Sequence, residues 1–238
     1  GTDTGGSVRL PAAFCGLTGL KVTENLLPTD GIMPLSQLLD TPGPIARSVK
    51  DVAIMFSVLL GKDGKRLEKD ILNNEGLFGP VDKGLKNIRL GIMDDIERLN
   101  CTSEVLRLYD SVLEFLEREG ATLKVFKSPT SYSAITSKVG DIIAIDAYQN
   151  HGDVYSNLSN PMDDDVRERV LKAKDFKPFE KEKLLLERKK KIISFQKAIE
   201  SFDALLTPTT QDTAPLIHEV DQRVSPGHFT RPFNYFGM

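Results

Sequence analysis

The chain has 238 residues, 40% of them hydrophobic and 27% charged, with a formal net charge of −3. That is the balance of an ordinary globular protein, long enough for one large domain or two small ones. With no concentrated basic surface, direct binding of nucleic acid is not expected. The longest apolar stretch, Val52 to Leu60, falls far short of the roughly 20 residues of a bilayer span.

Two cysteines, Cys15 and Cys101, are too few for a disulfide scaffold, so reduced thiols in a cytoplasmic protein are the expectation. The chain opens at Gly1 inside a motif and stops at Met238 in an apolar stretch. Both ends read as cuts in a longer protein, because domain boundaries favour polar linkers.

In chain order, residues 1–45 are rich in Gly, Pro, Thr and Ser and read as loops and short strands, with Phe14–Leu20 as a short buried segment. Ser48 to Leu60 reads as a helix: Ser48 is the N-cap, Asp51 sits at the capping-box position, and Gly61 closes the end. Asn87 to Met93 alternates as a strand. Thr102 to Glu119 is an amphipathic helix ended by Gly120, and Ala121 to Phe126 is a second strand. Strand, helix and strand form a βαβ unit with parallel pairing. Residues 133–150, 163–174 and 179–201 read as helices, Asp203 to Leu206 as a short strand, and the proline-rich tail from 209 as loops. The expected class is α/β, with helices covering a sheet. The basic run Arg188 to Lys191 lies in a charged helical pattern and reads as a solvated face.

The segment GTDTGGS, residues 1–7, packs three glycines, two threonines, an aspartate and a serine together. Such a run lets backbone approach a ligand closely and lets consecutive N–H groups converge on an anion. A serine at its end is placed to attack a carbonyl, provided a base activates it. A turn without chemistry and a phosphate cradle are the competing readings. The cradle is weak, since no lysine follows Gly6 as a P-loop requires, and the GxSxG elbow of ordinary serine hydrolases is missing.

The longer stretch GTDTGGSVRLPAAFCGLTGLK, followed by DGIMPLSQLLDTPGPIARSVKDVA, resembles the amidase signature family. The resemblance covers about the first 60 residues and returns at FDALLTPTT and FTRPFNYFGM. It implies a mixed sheet with helices on both faces, incomplete here. Residues 1–61 would be the catalytic core motif and following helix, 62–202 a variable, mostly helical region, and 203–238 the return to the core of one domain. It also implies cleavage of carboxamide C–N bonds by a Ser–cis-Ser–Lys triad. Ser7 matches the nucleophile, and the backbone amides of Thr4, Gly5 and Gly6, with that of Ser7, match the oxyanion hole. The triad lysine and second serine belong to segments upstream of the motif, so neither role falls on a residue of this chain, and the chain alone is expected to be inactive. No cofactor is implied.

Asp3 orients the turn or pairs with Arg9. Arg9 meets either a carboxylated substrate or an internal partner. Asp40 and Arg47 flank the Gly43–Pro44 turn and hold the loop. Tyr148 and His151 are candidates for the substrate pocket. So are Phe233 and Asn234, for which packing is an equal alternative. Cys15 reads as a small buried hydrophobe. His151, His218 and His228 lack metal-ligand spacing, and Asp163 to Asp165 fit a helix start better than a calcium loop, so no metal is expected.

The expected partner is a small-molecule amide in a homodimeric enzyme without membrane attachment. Two alternatives stand beside the amidase: the A subunit of a glutamine-dependent aminoacyl-tRNA amidotransferase, and a non-catalytic binding protein.

Overall fold

The computed structural model describes residues 1–73, 75–76, 84–221 and 223–238. Its centre is a parallel sheet of three strands: β5 (Arg89–Met93) lies between β6 (Thr122–Phe126) and β7 (Ala204–Leu206). Leu90 faces Leu123 on one side and Ala204 on the other, and Ile92 faces Val125 and Leu206. The anticipated βαβ unit is therefore present, with α5 (Ser103–Arg118) as its helix. Tyr109 of α5 ties the unit to the third strand: its hydroxyl accepts from the Met93 N–H at 3.1 Å and donates to the Leu206 carbonyl at 2.9 Å.

Two short antiparallel ladders lie earlier in the chain. β1 (Thr2–Asp3) pairs with β3 (Thr41–Pro42), and β2 (Thr18–Gly19) with β4 (Ile45–Ala46). Helix α2 (Val49–Leu59) begins as its sequence dictates, with the Ser48 hydroxyl accepting the Asp51 N–H at 3.1 Å. Beyond it come α3 (Gly64–Leu72), α4 (Asp95–Arg98), α6 (Tyr132–Ser156), α7 (Asp164–Leu171) and α8 (Pro178–Ile199). Asp163 caps α7 by accepting the Val166 N–H at 3.0 Å, with Asp164 and Asp165 in the first turn. Acids at a helix start complement its exposed N–H groups.

The main core gathers Phe126, Ile135, Val139, Ile142, Phe195 and Tyr235 from β6, α6, α8 and the last helix, α9 (Arg231–Tyr235). Phe195 is fully buried, stacks on Phe236 at 3.8 Å between ring centroids, and meets Phe126 edge-on at 5.7 Å. This aromatic contact fastens the end of the chain against the sheet and so sets it beside the chain's beginning.

Several sequence expectations need correction. Arg9–Phe14 is a helix, α1, and not loop; its six residues are too few to display a period. Phe14–Leu20 is half-exposed or exposed rather than buried, and Cys15 is exposed. The helices α4 and α9, of four and five residues, are likewise too short to display a period, and α3, of nine residues, is a further helix absent from the sequence expectations. The basic run does not form one solvated face. Arg188 is buried and donates to the Tyr235 carbonyl at 2.7 Å and to Glu24, while Lys189 and Lys190 stay in solvent. Of the loop-rich tail from 209, residue 222 lies outside the described residues.

Candidate active site

The Gly-rich segment leaves the β1–β3 ladder at Asp3 and enters α1 at Arg9, so both ends of the turn are fixed by backbone pairing. Between them the organising group is the Asp3 carboxylate, which is 0% exposed. It accepts the backbone N–H of Gly6 at 2.7 Å, of Val8 at 3.3 Å and of Arg9 at 3.4 Å. It also accepts Arg9 Nε and Nη2, each at 2.9 Å, and Asn234 Nδ2 at 2.9 Å. Burial by itself raises the pKa of this carboxyl. The hydrogen bond and charge of Arg9, with Asn234 and the Gly6 N–H, outweigh burial and hold it below the usual carboxylate value.

Arg9 and Asn234, both candidates for substrate contact with an internal role as the alternative, are turned inward. Arg9 further donates Nη1 to the Thr230 carbonyl at 3.0 Å and Nη2 to Asn234 Oδ1 at 2.5 Å. Asn234 is 2% exposed and also donates to the Asp3 carbonyl at 3.2 Å. Of the two readings for Arg9, the geometry is that of the internal ion pair. Their shared product is a fixed turn rather than a ligand-facing surface.

A second set of contacts fixes the tip. The Thr4 hydroxyl donates to Asp40 at 2.5 Å, and the same Asp40 carboxylate accepts the Leu35 and Ser36 N–H groups at 2.8 and 3.0 Å. Asp40 therefore does hold its loop, and joins it to the turn. Arg47 is exposed. The Thr230 hydroxyl donates to the Gly5 carbonyl at 2.8 Å. Gly6 has φ +132°, and a Cβ there would lie 2.5 Å from Thr230 Oγ1 and 2.7 Å from Leu10, so only glycine fits.

Ser7 emerges from this framework exposed. The N–H groups of Thr4, Gly5 and Ser7 make no hydrogen bond among the described residues, whereas that of Gly6 is taken by Asp3. Of the four donors expected to form an oxyanion hole, three remain open and Gly6 is occupied. No side chain among the described residues hydrogen-bonds the Ser7 hydroxyl. Burial and then the Arg9 charge push Lys21 down to about 8, and its ammonium donates to the Val22 carbonyl at 2.9 Å and the Met238 carbonyl at 2.5 Å.

The remaining candidates sit elsewhere. From α6, Ile143 reaches Gly5 and Gly140 borders Arg231. Tyr148 is five positions beyond Ile143, roughly 140° around the helix, and packs with Ala144, Ile145 and Ala173. His151 bonds the Pro34 carbonyl at 2.6 Å through Nε2. Phe233 packs against Tyr132 and Phe195 in the core. His228 is buried against Glu97 at 2.7 Å, and no cluster of potential metal ligands occurs among the described residues. Sequence reasoning missed Thr230 and Arg231, which flank the turn. The one available signal was a basic residue in the apolar run FTRPFNYFGM.

The chain has known relatives. A family model described as Amidase matches residues 1–236, and the chain belongs to the amidase family. It is 31% identical to the A subunit of glutamyl-tRNA(Gln) amidotransferase from Persephonella marina, over 92% of this chain and 50% of that protein. It is 29% identical to the mitochondrial counterpart from Anopheles gambiae, over 100% of this chain and 54% of that one. A crystal structure of an amidase superposes with a TM-score of 0.83 at 24% identity, over 100% of this chain and 52% of the other. The glutamyl-tRNA(Gln) amidotransferase A subunit from Thermotoga maritima gives 0.72 at 24%, over 100% and 52%. At that identity the likeness speaks for the fold, which is the α/β amidase fold. The chain spans about half the length of the relatives it matches.

Proposed function

We propose that the whole protein is an amidase that cleaves the C–N bond of linear carboxamides through an acyl-enzyme on Ser7. The observation that carries this is the turn itself: a buried, ion-paired Asp3 holds an exposed serine beside unoccupied backbone N–H groups. Donors fixed before the reaction stabilise a developing oxyanion without reorganising, which is where most of their catalytic value lies.

In the proposed sequence, Ser7 Oγ attacks the amide carbonyl carbon and its proton passes to a base. The carbonyl oxygen becomes an oxyanion facing the N–H groups of Thr4, Gly5 and Ser7. The C–N bond then breaks, the nitrogen leaves with a proton as ammonia or an amine, and water releases the acid. The family resemblance makes the base a lysine acting through a second serine, and no described side chain hydrogen-bonds Ser7 in that role. Residues 1–238 alone are accordingly expected to be inactive. Arg9 and Asn234 act as positioning residues through Asp3.

A second reading is favoured by the relatives named as glutamyl-tRNA(Gln) amidotransferase components: the ammonia passes to a partner protein instead of being released. The test is labelling of the full-length protein with a serine-reactive fluorophosphonate. Labelling that disappears in Ser7→Ala supports the nucleophile, and equal labelling of parent and variant removes it. Ammonia release from simple carboxamides without any partner favours the amidase. Release that needs charged tRNA together with a partner protein favours the amidotransferase.

A further inference from the structure

Arg231 opens α9 one residue after Thr230, whose hydroxyl donates to the Gly5 carbonyl. Its Nε is buried without an acceptor, and its guanidinium has no ion-pair partner among the described residues. Burial, and then repulsion from Arg169, disfavour its charge. An arginine nonetheless stays protonated in proteins, and this one is half-buried, with Nε enclosed and the two Nη groups left open to a ligand.

The side chain runs through a slot lined by three glycines. A Cβ on Gly5 would lie 3.3 Å from Arg231 Cγ and 3.4 Å from Nε. A Cβ on Gly227 would lie 3.0 Å from Cγ, and one on Gly140 3.6 Å from Nη1. Gly5 is two peptide units from Ser7, so their Cα atoms lie within about 8 Å. The orphan guanidinium thus adjoins the segment that would hold the scissile carbonyl. Among the described residues, the charge that acts on it is that of a second cation, Arg169 of α7.

We propose that Arg231 is a specificity-determining residue that binds a carboxylate carried by the amide substrate, a few bonds from the carbonyl attacked by Ser7. A guanidinium presents two parallel N–H donors that match the planar oxygens of a carboxylate. Entry of that group supplies a counter-charge that no described residue provides. Arg9, the other arginine of the region, is saturated by Asp3, Thr230 and Asn234 and has no such vacancy. The position of the scissile carbonyl in this inference rests on the amidase reading.

The test uses the full-length protein with Ser7→Ala to prevent turnover, and measures calorimetric binding of glutaramate and of neutral valeramide. Glutaramate is expected to bind at least about tenfold more tightly, the scale of a charge-assisted hydrogen-bonded pair. Arg231→Gln should erase that ratio, and Arg231→Lys should restore part of it by keeping the charge without the fork. Equal binding of the two ligands overturns the proposal, as does a ratio that survives Arg231→Gln. A fall in melting temperature with an unchanged ratio gives Arg231 a structural role only and overturns it as well. If Arg231→Gln fails to fold, Arg231→Lys decides: an undiminished ratio overturns the proposal, a reduced one supports it. Loss of the nucleophile assignment would show separately, as fluorophosphonate labelling indifferent to Ser7→Ala.

Discussion

Around β5 the chain is held by apolar side chains. Leu90, Met93, Leu113 and Phe126 are each less than a tenth exposed, and the strands meet in unbroken parallel register. The turn from Asp3 to Arg9 buries a charge, and six of the contacts that define it end on one carboxylate. The first region tolerates small errors of geometry, because dispersion and burial are not directional. The second does not, because hydrogen bonds weaken steeply with misalignment. A site that must aim N–H groups at one oxygen atom gains from the second kind of construction.

The contrast is broken most severely at Asp3. Asp3→Asn removes the counter-charge and leaves Arg9 uncompensated beside a buried amide, a change worth about 3–5 kcal/mol. Denaturant unfolding should show that loss, and Ser7 labelling should fall in the fraction that remains folded. The pH dependence has a definite sign. A carboxyl whose pKa is lowered by folding adds stability that is complete above its unfolded value, about 3.9. It is lost as pH falls through the lower folded value. The gap between parent and Asp3→Asn should therefore be constant near neutrality and close below about pH 4. A gap that persisted there would deny the carboxylate its organising role.

Gly6→Ala attacks the same turn by sterics alone. The added methyl would meet Thr230 Oγ1 at 2.5 Å on a backbone with φ +132°. Overpacking and backbone strain together should cost roughly 2–4 kcal/mol. Because the Gly5 carbonyl is tied to Thr230, labelling of Ser7 should slow by more than the stability loss explains. Tyr109→Phe carries the comparison to the sheet. It leaves the Met93 N–H and Leu206 carbonyl without their shared partner, at a cost of about 1–3 kcal/mol. Melting temperature should drop while the labelling rate of the folded protein stays unchanged. A matched fall in labelling would mean that sheet and turn are one mechanical unit.

How much of each region could be read from the chain follows from the same physics. β5, α5 and β6 repeat an apolar pattern over five or more residues, so their type and order were legible, with ends displaced by one or two positions at most. The turn was legible as a motif and Ser7 as its end. Its wiring was not legible, because the partners of Asp3 include Asn234, 231 positions away, and no local pattern encodes that distance. The inward orientation of Arg9 and Asn234 and the buried state of Arg188 are consequences of such long-range pairing, whereas the occupation of the Gly6 N–H by Asp3, three residues away, is local. Helix α1 was missed because glycine and proline dominated a window too short to show a period.

The mildest test concerns a feature that is local in sequence and in structure. The Ser48 hydroxyl accepts the Asp51 N–H at 3.1 Å and donates to the Asp51 carboxylate at 2.7 Å. Both residues lie at the start of α2 and both are at least partly open to water. Ser48→Ala removes one helix-start acceptor, and water can replace it, so the expected loss is about 1 kcal/mol. α2 packs near β2, β4 and α3 rather than on the turn, so labelling of Ser7 should be unaffected. Thermal unfolding with a labelling time course checks both halves of that statement. If this small local change slowed labelling, the rigidity of the turn would have to reach it through β4 and β2. The assignment of that rigidity to Asp3 and its partners would then be too narrow.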